Sequence, residues 1–212
     1  MGRPDDVAKG ISQGLTPAEI AAELEIAFSS ALSYLETAVG KGLVRRSDVY
    51  YTLRRENRRS PMSQEDRQIV QRFGSAAHAM GDMYEDLRDI ETALHLRIRS
   101  TLEEEYGSGK TEWWLRIPLE TRNKCNERCE VDNLSLDAYC YTDLIDLQKI
   151  IDKNWSVLQA KMAGYASDKP ELMSALIELN RIRNMVMHPA RGTRPNEADF
   201  LFIKDLKREL KI

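Results

Sequence analysis

The chain has 212 residues, 42% of them apolar and 31% charged, with a formal net charge of −3. That length holds one large domain or two small ones, and the near-balanced charge excludes a global basic field for nucleic acid, so any such binding needs local patches. No apolar run approaches the ~20 residues of a membrane span. The opening segment, MGRPDDVAKG, lacks the apolar core of a signal peptide. The cysteines, Cys125, Cys129 and Cys140, are too few for a disulfide framework, and a cytoplasmic setting is expected.

Three short helices are expected first. Residues 5–13 form one, closed by Gly14. Thr16 is the N-cap of the next, with Pro17 at its first position and Glu19 three residues on, a capping box. The third spans about 29–40, with Ala31, Leu32, Leu35, Ala38 and Val39 at helical spacing. Then Leu43-Val44 and Val49 to Leu53 read as two short strands around Ser47-Asp48, a hairpin. Three helices and a hairpin make a winged helix-turn-helix over residues 1–58, and "LTPAEIAAEL … ALSYLETAVGKGLVRR … YYTL" resembles the small winged-helix domains of prokaryotic regulators. Its third helix offers Ser29, Ser30, Ser33 and Tyr34, weak readers of a DNA groove. Arg45 and Arg46 on the wing, followed by Arg54, Arg55, Arg58 and Arg59, are candidate phosphate contacts; a protein-contact module is the alternative.

From residue 59 onward the chain reads as a helical bundle, with helices over about 64–80, 82–106, 118–128, 142–163, 169–188 and 196–210. The stretch YGSGKTEWW ends like a phosphate-binding P-loop, but the first glycine of that pattern should stand at Glu104, between Glu103 and Glu105. Three carboxylates would repel phosphates, and the preceding segment has a helical pattern rather than that of a strand. Gly107 is expected instead to end the helix in a left-handed conformation.

The segment 171–195, ELMSALIELNRIRNMVMHPARGTRP, carries the chemistry. Leu172, Leu176, Leu179, Ile182 and Val186 share one face of a helix, and Arg183 falls inside that face, about 20° around the helix from Leu172. A guanidinium there calls for an anion: an internal carboxylate such as Glu91 or Asp143, a subunit interface, or a substrate phosphate. Asn184 and His188 are four apart, and Pro189 stops the helix just after His188. Cys125-x-x-x-Cys129 with Cys140 lacks a nearby fourth zinc ligand, and His78 and His95 read as packing or surface residues.

The series Arg183-Asn184-x-x-x-His188 matches R-x(4–6)-H with a polar residue after the arginine, late in a helical domain. With "DIETALHLRIRSTLEEEYGSGKTEWW", "YTDLIDLQKIIDKNWSVL" and "LIELNRIRNMVMHP", it resembles the HEPN domains, mostly RNA-cleaving toxins and defence nucleases of prokaryotes, over roughly residues 80–205. The resemblance implies an all-α HEPN bundle and a metal-independent endoribonuclease with no cofactor. Arg183 would hold the scissile phosphate, His188 would move the proton, and Asn184 would orient His188 or hold the phosphate. The products would be 2′,3′-cyclic phosphate ends. Arg181, Arg191 and Arg194 would hold the RNA backbone. Arg183 and His188 lie about 140° apart on an ideal helix, and HEPN domains pair, so a homodimer is implied. The further partners implied are an antitoxin, and DNA or a regulatory protein through the winged helix; no membrane is involved. The alternative from the same resemblance is a non-catalytic HEPN dimeriser on a winged-helix, DNA-binding transcriptional regulator.

Overall fold

A computed structural model describes residues 3–56, 73, 80–109, 112–133, 135–162, 168–188 and 193–211. The chain divides into two compact units. One comprises Met1–Met83 with Pro195–Lys204, the other Tyr84–Arg194 with Asp205–Ile212. The described residues are mainly helical, and among them there is no strand.

In the first unit, α1 (Arg3–Ser12) is followed by Gly14, whose φ of 81° suits a residue without Cβ. α2 (Pro17–Glu23) begins with the expected capping box: Thr16 accepts from the Glu19 amide, and the Glu19 carboxylate accepts from the Thr16 amide at 2.8 Å. A Cβ on Gly10 would come within 2.6 Å of Ile20, so glycine is what lets these two helices approach. α3 (Phe28–Gly40) buries Ala31, Leu32, Leu35 and Ala38. Leu32, Leu35 and Ala38 make one apolar core with Val7, Ile11, Ile20 and Phe73.

The expected hairpin is not there. Residues Arg46–Glu56 form a helix, α4, which starts where the first strand should turn. Asp48 lies in its first turn, where a carboxylate favours the positive end of the helix dipole. Five consecutive residues, Val49 to Leu53, are buried, a run that reads equally as a buried strand or as a helix covered on more than one side. The cover comes from α10 (Glu197–Glu209), whose residues through Lys204 belong to this unit. Tyr50 packs on Phe200 with the rings tilted at 60°, its hydroxyl donates to Glu197 at 2.8 Å, Arg54 pairs with the same carboxylate, and buried Lys204 pairs with Asp48. Burial and the Glu197 carboxylate push the Tyr50 phenol up to about 12. The wing that would have carried Arg45 and Arg46 is thus replaced: Arg45 is paired with Asp48 at 3.1 Å, and Arg46 lies over the Phe73 ring. Arg58 and Arg59 lie outside the described residues, as does nearly all of the helix expected over 64–80.

In the second unit, α5 (Met80–Tyr106) buries Leu87, Ile90, Leu94, Ile98 and Leu102 at intervals of three and four residues. Glu103 to Glu105 are helical, which excludes the strand a P-loop needs, and Gly107 ends the helix at φ 93°. A 3-10 turn, Trp114–Arg116, leads to α6 (Leu119–Val131), and a second, Ala138–Tyr141, to α7 (Leu144–Lys153). The single helix expected over 142–163 is two. Buried Asn154 interrupts it, its side-chain amide donating to the Ile150 carbonyl at 2.9 Å and the Arg116 carbonyl at 3.3 Å, and α8 (Trp155–Met162) follows. α9 (Lys169–Met187) is capped by Asp168, with Pro170 in its first turn. The part of α10 in this unit places Lys207 between buried Asp86 at 2.9 Å and Asp89.

Candidate active site

α9 buries the expected stripe of Leu172, Leu176, Leu179, Ile182 and Val186. Arg183 stands at the edge of that stripe with its side chain 27% exposed, and its Nε meets Oε1 of Glu91 on α5 at 2.5 Å. Of the two acids expected as partners, the structure selects Glu91. Asp143 is held elsewhere: it caps α7, and Lys124 approaches it at 2.7 Å and Arg128 at 3.6 Å. Burial raises the Asp143 carboxyl, but its hydrogen bonds from Lys124 and the Asp146 amide prevail and hold it at about 2. Glu91 goes the other way. Burial pushes its carboxyl above the ordinary value; the Arg183 guanidinium opposes this, and the Asp143 charge adds to it.

Arg183 has five donors. Its Nε faces Glu91, and among the described residues its two Nη groups have no partner. The guanidinium is therefore ion-paired on its Nε side, without an aligned hydrogen bond, and the two parallel N–H groups of its Nη side match the geometry of a phosphate or carboxylate.

Arg183 and Glu91 both line a cavity of about 300 Å³. Glu91, Thr92 and His95 of α5 line one side, and Thr142, Asp143 and Leu147 the other. Buried Leu144 and exposed Leu96 also line it, as does Cys140, the exposed one of the three thiols. His95 is fixed by Tyr139, whose ring lies 4.0 Å from it, and its Nε2 sits 3.0 Å from the Tyr139 carbonyl. A carbonyl can only accept, so Nε2 carries the proton. Burial pushes the imidazole below its ordinary value, so the ring is neutral at pH 7 and Nδ1 bears a lone pair.

The other expected site residues are dispersed. His188 is the C-cap of α9, exposed, with its amide on the Asn184 carbonyl at 3.1 Å. Among the described residues its side chain has no hydrogen bond or ion pair, and neither it nor half-buried Asn184 lines the Arg183 cavity. Arg181 points its guanidinium at Glu178, at 2.6 and 2.8 Å. Arg194 is exposed, and Arg191 lies outside the described residues. Thr92 and Thr142 carry no signal in the sequence, and His95, expected as a packing or surface residue, packs on Tyr139 and also lines the cavity. His95 was legible in principle: it stands four residues after Glu91, on the same face of one helix.

Among the described residues no group of three or more His, Cys, Asp and Glu converges as a cation site, and no helix is long and apolar enough to cross a membrane. Comparisons with protein-family models, curated proteins and solved structures give no match in any of the three.

Proposed function

We propose that the protein is a metal-independent endoribonuclease of the HEPN type, acting as a homodimer in prokaryotic defence or growth arrest. The observation that carries this reading is the half-bound arginine: Arg183 is oriented by Glu91, has its Nη edge unpartnered among the described residues, and stands five residues before the exposed imidazole of His188. In the proposed step the 2′-hydroxyl of RNA attacks the adjacent phosphorus, and the bond to the 5′-oxygen breaks. One imidazole accepts the hydroxyl proton and a protonated imidazole gives its proton to the leaving 5′-oxygen, which yields a 2′,3′-cyclic phosphate and a free 5′-hydroxyl. Arg183 balances the charge that gathers on the phosphoryl oxygens. Because His188 lies outside the Arg183 cavity of its own chain, a second copy is the economical way to complete the site.

A second reading rests on the same ion pair. An arginine at the edge of an apolar stripe facing a buried carboxylate also serves structure alone, in a dimerising or binding module. RNA cleavage in EDTA separates the two. Wild-type protein should cut RNA to cyclic-phosphate ends, and His188→Ala, a change at an exposed residue, should lose at least about 100-fold in rate while keeping its helical content. A folded wild-type chain that cuts neither tRNA nor mixed-sequence RNA, as monomer or dimer, rules out the nuclease.

A further inference from the structure

We propose that Glu91 restrains the Arg183 site: its carboxylate and a bound phosphate group compete for one guanidinium, and an anion settles there by bringing a proton from solvent onto Glu91. This rests on the part of the nuclease reading that places a phosphate on Arg183. The Glu91 Oε1 atom has no accessible surface, and the Arg183 Nε lies 2.5 Å from it without an aligned hydrogen bond. The contact is held by charge more than by direction, so it weakens when either charge is neutralised. Among the described residues Arg183 is the only cation paired with Glu91.

The other titratable groups of the cavity are His95, one turn along α5, and Cys140 and Asp143. Burial holds His95 neutral at pH 7. At Asp143, burial is outweighed by hydrogen bonds from Lys124 and the Asp146 amide, which hold the carboxyl at about 2, so it stays charged. Burial and that Asp143 charge already push the Glu91 carboxyl above its ordinary value, against the pull of Arg183. A phosphate on the Nη side of Arg183 adds one more negative charge beside it, and Glu91 is the group that takes up the proton. The complex then binds more protons than the free chain, so affinity rises as pH falls, by up to about tenfold per pH unit. The window lies between the Glu91 value of the free chain and that of the complex, both above the ordinary 4.5. Above it the anion binds beside a full carboxylate, and below it Glu91 is already neutral. At neutral pH the site therefore holds isolated anions weakly, and an RNA chain overcomes the restraint through its further contacts.

The test is calorimetric titration of the full chain with sulfate, an anion that does not itself titrate near neutrality, at pH 5.5, 6.5 and 7.5 in buffers of different ionisation enthalpy. Sulfate should bind at least about tenfold more tightly at pH 5.5 than at pH 7.5, with net proton uptake. Glu91→Gln keeps the shape and removes the charge. It should bind sulfate at pH 7.5 at least about tenfold more tightly than wild type does, and lose most of the pH dependence. Arg183→Leu should not bind. A measurement on wild type alone supports these: adding sulfate should bring up the infrared band of a protonated carboxyl. Binding without proton uptake or without that band, weaker binding by E91Q than by wild type, proton uptake that E91Q retains, or binding that R183L retains would each overturn the restraint. So would sulfate that binds neither wild type nor E91Q. Cleavage assays keep the two ideas apart. A chain that takes up the proton on binding sulfate but cuts no RNA keeps the restraint and loses the nuclease. A chain that cuts RNA but binds sulfate without proton uptake keeps the nuclease and loses the restraint.

Discussion

Replacing Arg183 by leucine tests how the α9 stripe tolerates its one cation. Leucine suits the apolar face, so the cost falls almost wholly on Glu91, which loses the guanidinium that offsets its burial. The carboxyl then avoids an isolated buried charge by taking up a proton. Holding a proton at pH 7 on a group whose ordinary value is 4.5 costs about 3.4 kcal/mol, which sets the ceiling on the loss. Burial of the new methyl groups offsets part of it, so a destabilisation of about 2 to 3 kcal/mol is expected. The sign of the pH dependence follows. A carboxyl whose folded-state value is raised contributes most below its unfolded value, and that contribution is lost as pH rises through the folded value. The variant raises the folded value further. The gap between variant and wild type should therefore narrow on acidification, to a ceiling of about 1.4 kcal/mol at pH 5.5. Urea denaturation at pH 7.5, 6.5 and 5.5 measures it. Adding Glu91→Gln to Arg183→Leu should recover most of the loss, because no charge then remains to be buried. A gap that is constant with pH, or a double variant no more stable than the single one, refutes the reasoning.

Two further substitutions probe the frame of the second unit. Asn154→Ala removes the amide that bonds the Ile150 and Arg116 carbonyls at a buried break, and should cost about 1 to 3 kcal/mol in urea denaturation. Lys207→Met takes the ammonium from fully buried Asp86 and from Asp89; a loss of about 3 to 5 kcal/mol is expected, lessened at low pH, where the carboxyls protonate.

What the sequence made legible was local. Thr16 with Glu19, Gly14 and Gly107 mark helix ends through chemistry confined to a few residues, and the structure places those ends there. The five-residue stripe on α9 was readable because 3.6-residue periodicity is itself local. The segment 46–56 was misread because its signal is ambiguous. Val49, Tyr50, Tyr51 and Thr52 favour strands, and Ser47-Asp48 serves a turn as well as a first helical turn. What decides for helix is burial against residues such as Glu197, Phe200 and Lys204, more than 140 positions away, which no window of sequence reveals. The site shows the same division. Arg183 was conspicuous as a charge in an apolar pattern, whereas the cavity it borders is assembled from α5, α7 and α9 and exists only after they pack.

The first unit is stitched from two distant stretches, the opening helices and the segment Pro195–Lys204. A ribosome that has finished α4 has not yet made the glutamate that receives Tyr50 and Arg54, nor the lysine that receives Asp48. Until those residues emerge, a face of α4 that is dry in the finished protein stands in water, without the partners that Tyr50, Arg54 and Asp48 gain from α10. The unit whose sequence comes first is therefore among the last to be completed. Closing so long a loop makes its maturation slow relative to the local pairing of α1, α2 and α3. For the same reason, cutting the chain after residue 83 to obtain this unit alone would yield a fragment with its closing segment missing.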